Sequence, residues 1–233
     1  METYLLNDTY SVFSSSPSPK YLLIQPSDRS EEEQILEEMN YLTRHGAPLF
    51  ALLVFKVEDW NRDLSPWEAP PVFGDEPFGC GAGGTLEQIL DLLPAFRGLF
   101  EAGDSLPVVI GGYSLAAFFS LWAAYQTDAF SAVAAASPSV WFPGWLTFQS
   151  SQKIHTRCVY LSLGDREDKT KNPVMSTVGD CIRGCYRMLQ EDEGIRFCQL
   201  DWNPGNHFRD AGLRTAKGFL WALRQLKQLY KEQ

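Results

Sequence analysis

Short, nearly unbroken apolar runs separated by segments of helical period constrain this chain more than any other feature. The runs are YLLIQ (Tyr21–Gln25), LFALLVFKV (Leu49–Val57), PVVIGG, SAVAAAS, CVYLSLG and RFCQLDW. Alternating polar and apolar residues mark a strand with one wet face, whereas a continuous apolar run marks one covered on both faces. The segments between them read as helices. In RSEEEQILEEMNYLTRHG, Ile35, Leu36, Met39 and Leu42 form a stripe, the acidic run suits the first turn, and Gly46 is the stop. TLEQILDLLPAFRGLF is expected to open at Thr85, with Gln88 completing a capping box. SLAAFFSLWAAY is apolar all round, so it predicts a buried helix. NPVMSTVGDCIRGCYRMLQED has Asn172 as cap and Pro173 at the first helical position, and RDAGLRTAKGFLWALRQLKQLYKE closes the chain. A section of strand character precedes the SSSPSPK loop. Strands alternating with helices predict an α/β fold with a mostly parallel central sheet and helices on both faces. With no internal repeat and no linker, residues 1–233 are read as a single domain.

The totals agree. A hydrophobic content of 45% over 233 residues supports one well-filled core. A formal net charge of −9 disfavours nucleic acid and anionic membrane surfaces as partners, because no basic patch emerges to neutralise phosphates. No run approaches the roughly eighteen apolar residues of a membrane span. The N-terminus lacks the basic start and apolar run of a signal peptide. The five cysteines are scattered and odd in number, so reduced thiols in a cytoplasmic protein are expected. Cys181 and Cys185 lie four apart on a predicted helix, but no histidine is close in sequence and no metal is expected. GCGAGG, Gly79–Gly84, matches a dinucleotide fingerprint in letters. That fingerprint needs a strand immediately before it, and PVFGDEPF is not one, so the glycines are assigned to a tight turn and no cofactor is expected.

The chemistry centres on VIGGYSLAAFF. Ser114 there is either a satisfied core hydroxyl near a chain reversal or a nucleophile on a sharp strand-to-helix turn. Small residues two before and two after it, Gly112 and Ala116, let strand and helix approach; glycine is usual at the second place, so Ala116 departs from the pattern. A nucleophilic serine needs a general base, and the chain has three histidines. His45 lies near the end of a surface helix. His155 precedes a strand and so sits at the wrong end for a parallel sheet's active face. His207, in DWNPGNHFRD, follows the last strand at its carboxyl end, where open α/β sheets place their sites. The orienting acid belongs at another strand end between serine and histidine. LSLGDRED supplies Asp165, Glu167 and Asp168, and Glu167, three residues beyond Gly164, is preferred, with Asp165 next. The order serine, acid, histidine is that of α/β-hydrolases.

At these residues the chain resembles the esterase D branch of the α/β-hydrolases and is similar to enterochelin-esterase-like proteins. The carriers are GGYSLAA, AASPSVWF, LSLGDRED and NPGNHFRD, and the likeness spans Tyr21 to Tyr230. It implies an α/β-hydrolase with no large lid, in agreement with the short Pro138–His155 connection. It also implies that Ser114, Glu167 and His207 are nucleophile, acid and base, and that a small-molecule ester is the substrate. The resemblance implies an oxyanion hole from the backbone N–H of Leu115 and a second donor in the turn after YLLIQ. There the chain reads QPSD, and since Pro26 has no N–H, Ser27 is the candidate. Trp60, Arg62 and Trp67 in the long loop EDWNRDLSPWEAPPVFG, together with Trp141, are candidates to line a site for an aromatic or anionic acyl group; packing of the loop on itself is the alternative. Two functions from different classes remain: a serine carboxylesterase, with transfer to another acceptor open, or a hydrolase-like binding protein with a degenerate site.

Overall fold

Strands that are apolar on both faces need helices on both, and the computed structural model, which describes residues 2–7, 9–28, 32–72, 74–101 and 106–231, has them. The elements run β1 (Glu2–Leu6), β2 (Tyr10–Ser14), β3 (Tyr21–Ser27), α1 (Glu32–Arg44), β4 (Phe50–Lys56), α2 (Trp60–Asp63), α3 (Ala82–Gly98), β5 (Val108–Tyr113) and α4 (Ser114–Ala123). They continue with β6 (Ala132–Ala136), α5 (Trp145–Ser151), β7 (Cys158–Gly164), α6 (Val178–Glu191), β8 (Phe197–Asn203) and α7 (Ala211–Leu229). The sheet has eight strands in the order β1-β2-β4-β3-β5-β6-β7-β8. From β4 to β8 every neighbouring pair is parallel; β1 and β2 form an antiparallel hairpin that joins β4 at the edge.

Two apolar cores lie on the two faces. Ile35, Met39 and Leu42 of α1 meet Phe219, Leu223 and Leu226 of α7 on one, while α3, α4, α5 and α6 fill the other. Leu36 points away from the stripe expected of it and is exposed, and Glu38 is buried instead, taking a hydrogen bond from Gln25. Small residues thin the middle of the sheet. β6 is almost entirely alanine, a Cβ on Gly111 would lie 2.6 Å from the Ala134 carbonyl oxygen, and one on Gly218 would lie 2.9 Å from the Tyr160 ring. Gly111 lets β6 and α7 close on β5, the strand that leads into Ser114, and Gly218 lets α7 close on β7 and β6. No helix among the described residues is long and apolar enough to cross a membrane.

Four local readings change. β3 runs on past Gln25, so Pro26 and Ser27 belong to it rather than to a turn, and each pairs with β4. Leu22 N donates to Pro107 O on the β5 side, so even-numbered amides of β3 face β5. Pro26 therefore lacks its N–H on the side where the β5 ladder has already ended, at Ile24–Ile110. α3 opens at Ala82 with Gly81 as its cap residue; the Thr85 hydroxyl donates instead to Asp63 O at 2.7 Å. Asn172 Oδ1 accepts from the amides of Val174 and Met175, but the turn it caps is a 3₁₀ turn, Met175–Thr177, and α6 proper starts at Val178. Half of GCGAGG is helical. Gly79 and Gly81 press against Arg62 with no room for a Cβ, while Gly83 and Gly84 lie in the first turn of α3. Of the acidic run before α1, Glu31 lies outside the described residues.

Candidate active site

The carboxyl ends of β5, β7 and β8 converge, and each delivers one group. Ser114 is the first residue of α4 directly after β5, with φ 57°. A non-glycine residue in the left-handed region stores strain of about 1–3 kcal/mol and lifts its side chain clear of the strand. The hydroxyl is half-buried, so substrate can reach it. Gly112 and Ala116 make the turn possible together: a Cβ on Gly112 would lie 3.0 Å from the Ala116 methyl. The methyl that departs from the usual pattern therefore fills the space its glycine partner leaves.

His207 Nε2 lies 3.0 Å from Ser114 Oγ, and its Nδ1 lies 2.7 Å from Glu167 Oε2. The chain turns after β7 with Glu167 N donating to Gly164 O at 3.2 Å, which aims the carboxylate back at the strand end. Glu167 Oε1 accepts from Gly164 N at 2.7 Å, Ser137 Oγ at 2.8 Å and Arg214 Nη1 at 2.9 Å. Burial pushes the Glu167 carboxyl up. The hydrogen bond and charge of His207, with the Gly164 amide and Ser137 hydroxyl, outweigh that and hold it below the ordinary glutamate value. Asp165, the other acid considered, is turned elsewhere: its carboxylate accepts from Gly205 N at 2.8 Å and ties the two loops together. His45 stacks on Tyr41, and His155 is exposed beyond the opposite ends of the strands, so neither approaches Ser114.

Sequence reading missed three supports. Ser137, at the end of β6, has φ 46° and binds Glu167. Tyr113 donates its hydroxyl to the His207 carbonyl at 2.6 Å, and burial, then the Glu167 charge, push it up to about 12. Arg214 is buried. Its signal was present: Arg214, Gly218 and Ala222 are spaced by four on the buried stripe of α7, and a charge on such a stripe needs a partner.

The oxyanion candidates separate. Leu115 N lies in the first turn of α4, where no side chain caps the helix and the amides face outward with the positive end of its dipole. Ser27 does not fit. Its carbonyl accepts from Val57 N, so its own amide faces β4 as well, away from β5. The chain from Arg29 to Glu31, next along that turn, lies outside the described residues.

Of the residues expected to contact substrate, Trp60 and Arg62 line an open groove of about 1080 Å³ beside the β4 end. Arg62 is already paired, with Asp63 at 2.8 Å and Asp59 at 3.6 Å, and Glu58, Asp59, Glu68 and Glu76 share the groove, so it does not suit an anionic acyl group. Trp67 is committed to packing: its Nε1 donates to Pro143 O at 2.7 Å and its ring meets Phe142 and Phe148. Trp141 is nearly buried between Phe142 and Phe78. Phe208, beside His207 and edge-on to its ring at 5.6 Å, is 89% exposed and rims the site. No group of metal-ligating side chains large enough to hold an ion occurs among the described residues.

No family model matches the sequence, and no curated protein does. Solved structures do. The siderophore hydrolase EstA from Aspergillus nidulans superposes with a TM-score of 0.71 at 16% identity, over 93% of this chain and 89% of that one. An IroE-like serine hydrolase from Shewanella oneidensis gives 0.74 at 16% identity, over 96% and 80%. The siderophore hydrolase EstB from Aspergillus nidulans gives 0.69 at 15% identity, over 94% and 93%. Identities this low speak for the fold alone. With its strand order, its strand-to-helix turn at Ser114 and no large lid among the described residues, the chain has the α/β-hydrolase fold of these serine hydrolase structures.

Proposed function

We propose that the chain is a serine hydrolase of carboxylic esters that works through an acyl-enzyme on Ser114. The observation that carries the reading is His207, hydrogen-bonded at 3.0 Å to a serine hydroxyl on a strained turn and at 2.7 Å to a buried carboxylate. His207 Nε2 takes the Ser114 proton as Oγ attacks the acyl carbon. The carbonyl π pair moves to oxygen, and the Leu115 amide stabilises that oxyanion. The intermediate collapses, the C–O bond to the alcohol breaks, and His207 returns the proton to the leaving alkoxide. Water then enters, gives a proton to His207 and attacks the acyl carbon; the second tetrahedral intermediate collapses, the acyl–Oγ bond breaks, and His207 returns the proton to Ser114 Oγ as the acid leaves. Glu167 holds the tautomer with Nδ1 protonated and stabilises the imidazolium without taking its proton.

An uncharged ester suits the acidic groove better than an anionic one. The likeness to two siderophore hydrolases makes siderophore-type esters the first natural class to try. A second reading, a hydrolase-like binding protein, has one observation in its favour: the Ser27 amide faces β4, which leaves the second oxyanion donor unassigned. The expected result with p-nitrophenyl esters of several chain lengths is turnover by the native protein. Folded Ser114→Ala and His207→Ala should each lose about 10⁴-fold or more. A folded native protein inactive on these and on siderophore-type esters selects the binding reading.

A further inference from the structure

For the Ser114–His207–Glu167 chain to exist, the end of β5, the loop after β7 and the loop after β8 must meet. One guanidinium touches all three. Arg214 Nη1 donates to Glu167 Oε1 at 2.9 Å and to the Tyr113 hydroxyl at 3.1 Å, while Nη2 donates to the carbonyls of Pro204 and Asn206, each at 3.1 Å. Those carbonyls flank Gly205, just before His207, and Tyr113 closes the circuit by donating to the His207 carbonyl. The side chains of Arg214 and Glu167 are each 1% exposed. A desolvated arginine is costly and persists where its charge is matched; both Nη atoms of Arg214 are engaged, while its buried Nε has no partner among the described residues.

We infer that Arg214 is a positioning residue of the proposed hydrolase: its fork holds acid and base in register, and its charge limits how tightly Glu167 grips the imidazolium. The consequence for rate rests on the hydrolase reading; the consequence for the His207–Glu167 hydrogen bond does not. Glu167 divides its negative charge between Arg214 on one oxygen and His207 on the other. Without the arginine's charge His207 is the one cationic group left on the carboxylate, with the Gly164 amide and the Ser137 hydroxyl still donating to Oε1, so the hold on the imidazolium tightens. The ring then keeps its proton to higher pH, and the base becomes available later. The charged and titratable groups around His207 are Glu167 from the loop after β7, Tyr113 from β5 and Arg214 from α7. Nearby, Asp165 is engaged by Gly205 N at 2.8 Å, and Arg209 pairs with Asp210 at 3.4 Å.

The test uses Arg214→Met and Arg214→Lys in the full chain, read by NMR titration of the His207 ring and by the pH dependence of fluorophosphonate labelling. Arg214→Met is expected to move the ring titration and the acidic limb of labelling up by about one pH unit, and to slow labelling about 10- to 100-fold. Arg214→Lys keeps the charge without the fork, so it should restore the pH position while labelling stays slow. A folded Arg214→Met whose ring titration stays in place overturns the inference whatever its rate, since a mere structural prop would change rate alone. Should Arg214→Met fail to fold, Arg214→Lys decides. Retention of the downfield resonance of the proton shared by His207 Nδ1 and Glu167, with labelling slowed about 10-fold or more, supports the inference, and labelling at the native rate overturns it. Wild-type protein that is never labelled sinks the hydrolase reading instead, and the ring titration still judges Arg214.

Discussion

Glu167 is answerable to four groups at once, and that makes it the residue whose replacement is most informative. Its carboxyl is lower in the folded chain than in an unfolded one, so it contributes stability above the ordinary glutamate range and loses that contribution as pH falls through its lowered value. Glu167→Gln leaves Arg214 buried without a counter-charge. At neutral pH it is expected to cost about 3–5 kcal/mol in chemical denaturation and to lower kcat about 10²- to 10⁴-fold. In acid the stability gap between variant and native protein should close. A gap that stays constant from neutral pH into acid contradicts the pairing described here. Ser114, His207 and Glu167 were legible in the sequence as a set because each sits at a strand end in a fixed chain order. Ser137, Tyr113 and Arg214 were not, because their roles depend on which strand ends become neighbours, and residue type says nothing about that.

At the scale of the element, the strand-to-helix turn after β5 is a packing problem solved by two small residues. Gly112 has no positive φ, so alanine there meets no backbone objection and any cost comes from the Ala116 methyl 3.0 Å away. Gly112→Ala should cost about 1–3 kcal/mol, and at least about 1 kcal/mol of that should vanish in an Ala116→Gly background. Equal penalties in the two backgrounds would show that the methyl is not the obstacle. Most elements were legible from apolar runs and helical stripes, yet their ends were not. TLEQ has the letters of a capping box, but the Thr85 hydroxyl is drawn to the Asp63 carbonyl on α2 and the helix begins a turn earlier. Pro26 looked like the end of a strand because the absence of a β5 partner at that level, which makes proline harmless there, is a property of the sheet. The Ser27 amide was misassigned for the same reason: its direction follows from strand parity once the strand is known to continue.

For the whole molecule, alternation of strands and helices announced a parallel sheet but not its order, which places β3 between β4 and β5 and adds an antiparallel hairpin at the edge. That order sets Ser114, Glu167 and His207 just beyond the ends of three strands on one side of β3 and turns the long loop after β4 into the wall of an acidic groove on the other. The central claim is that this arrangement makes Ser114 a nucleophile. The measurement that tests it most directly is mass spectrometry of the native protein after reaction with a fluorophosphonate, with His207→Ala as the comparison. The account predicts a single adduct on the peptide carrying Ser114, formed readily by the native chain and at least about 10³-fold more slowly by the variant. A folded native protein with Ser114 unmodified, or one modified equally fast without His207, would contradict it.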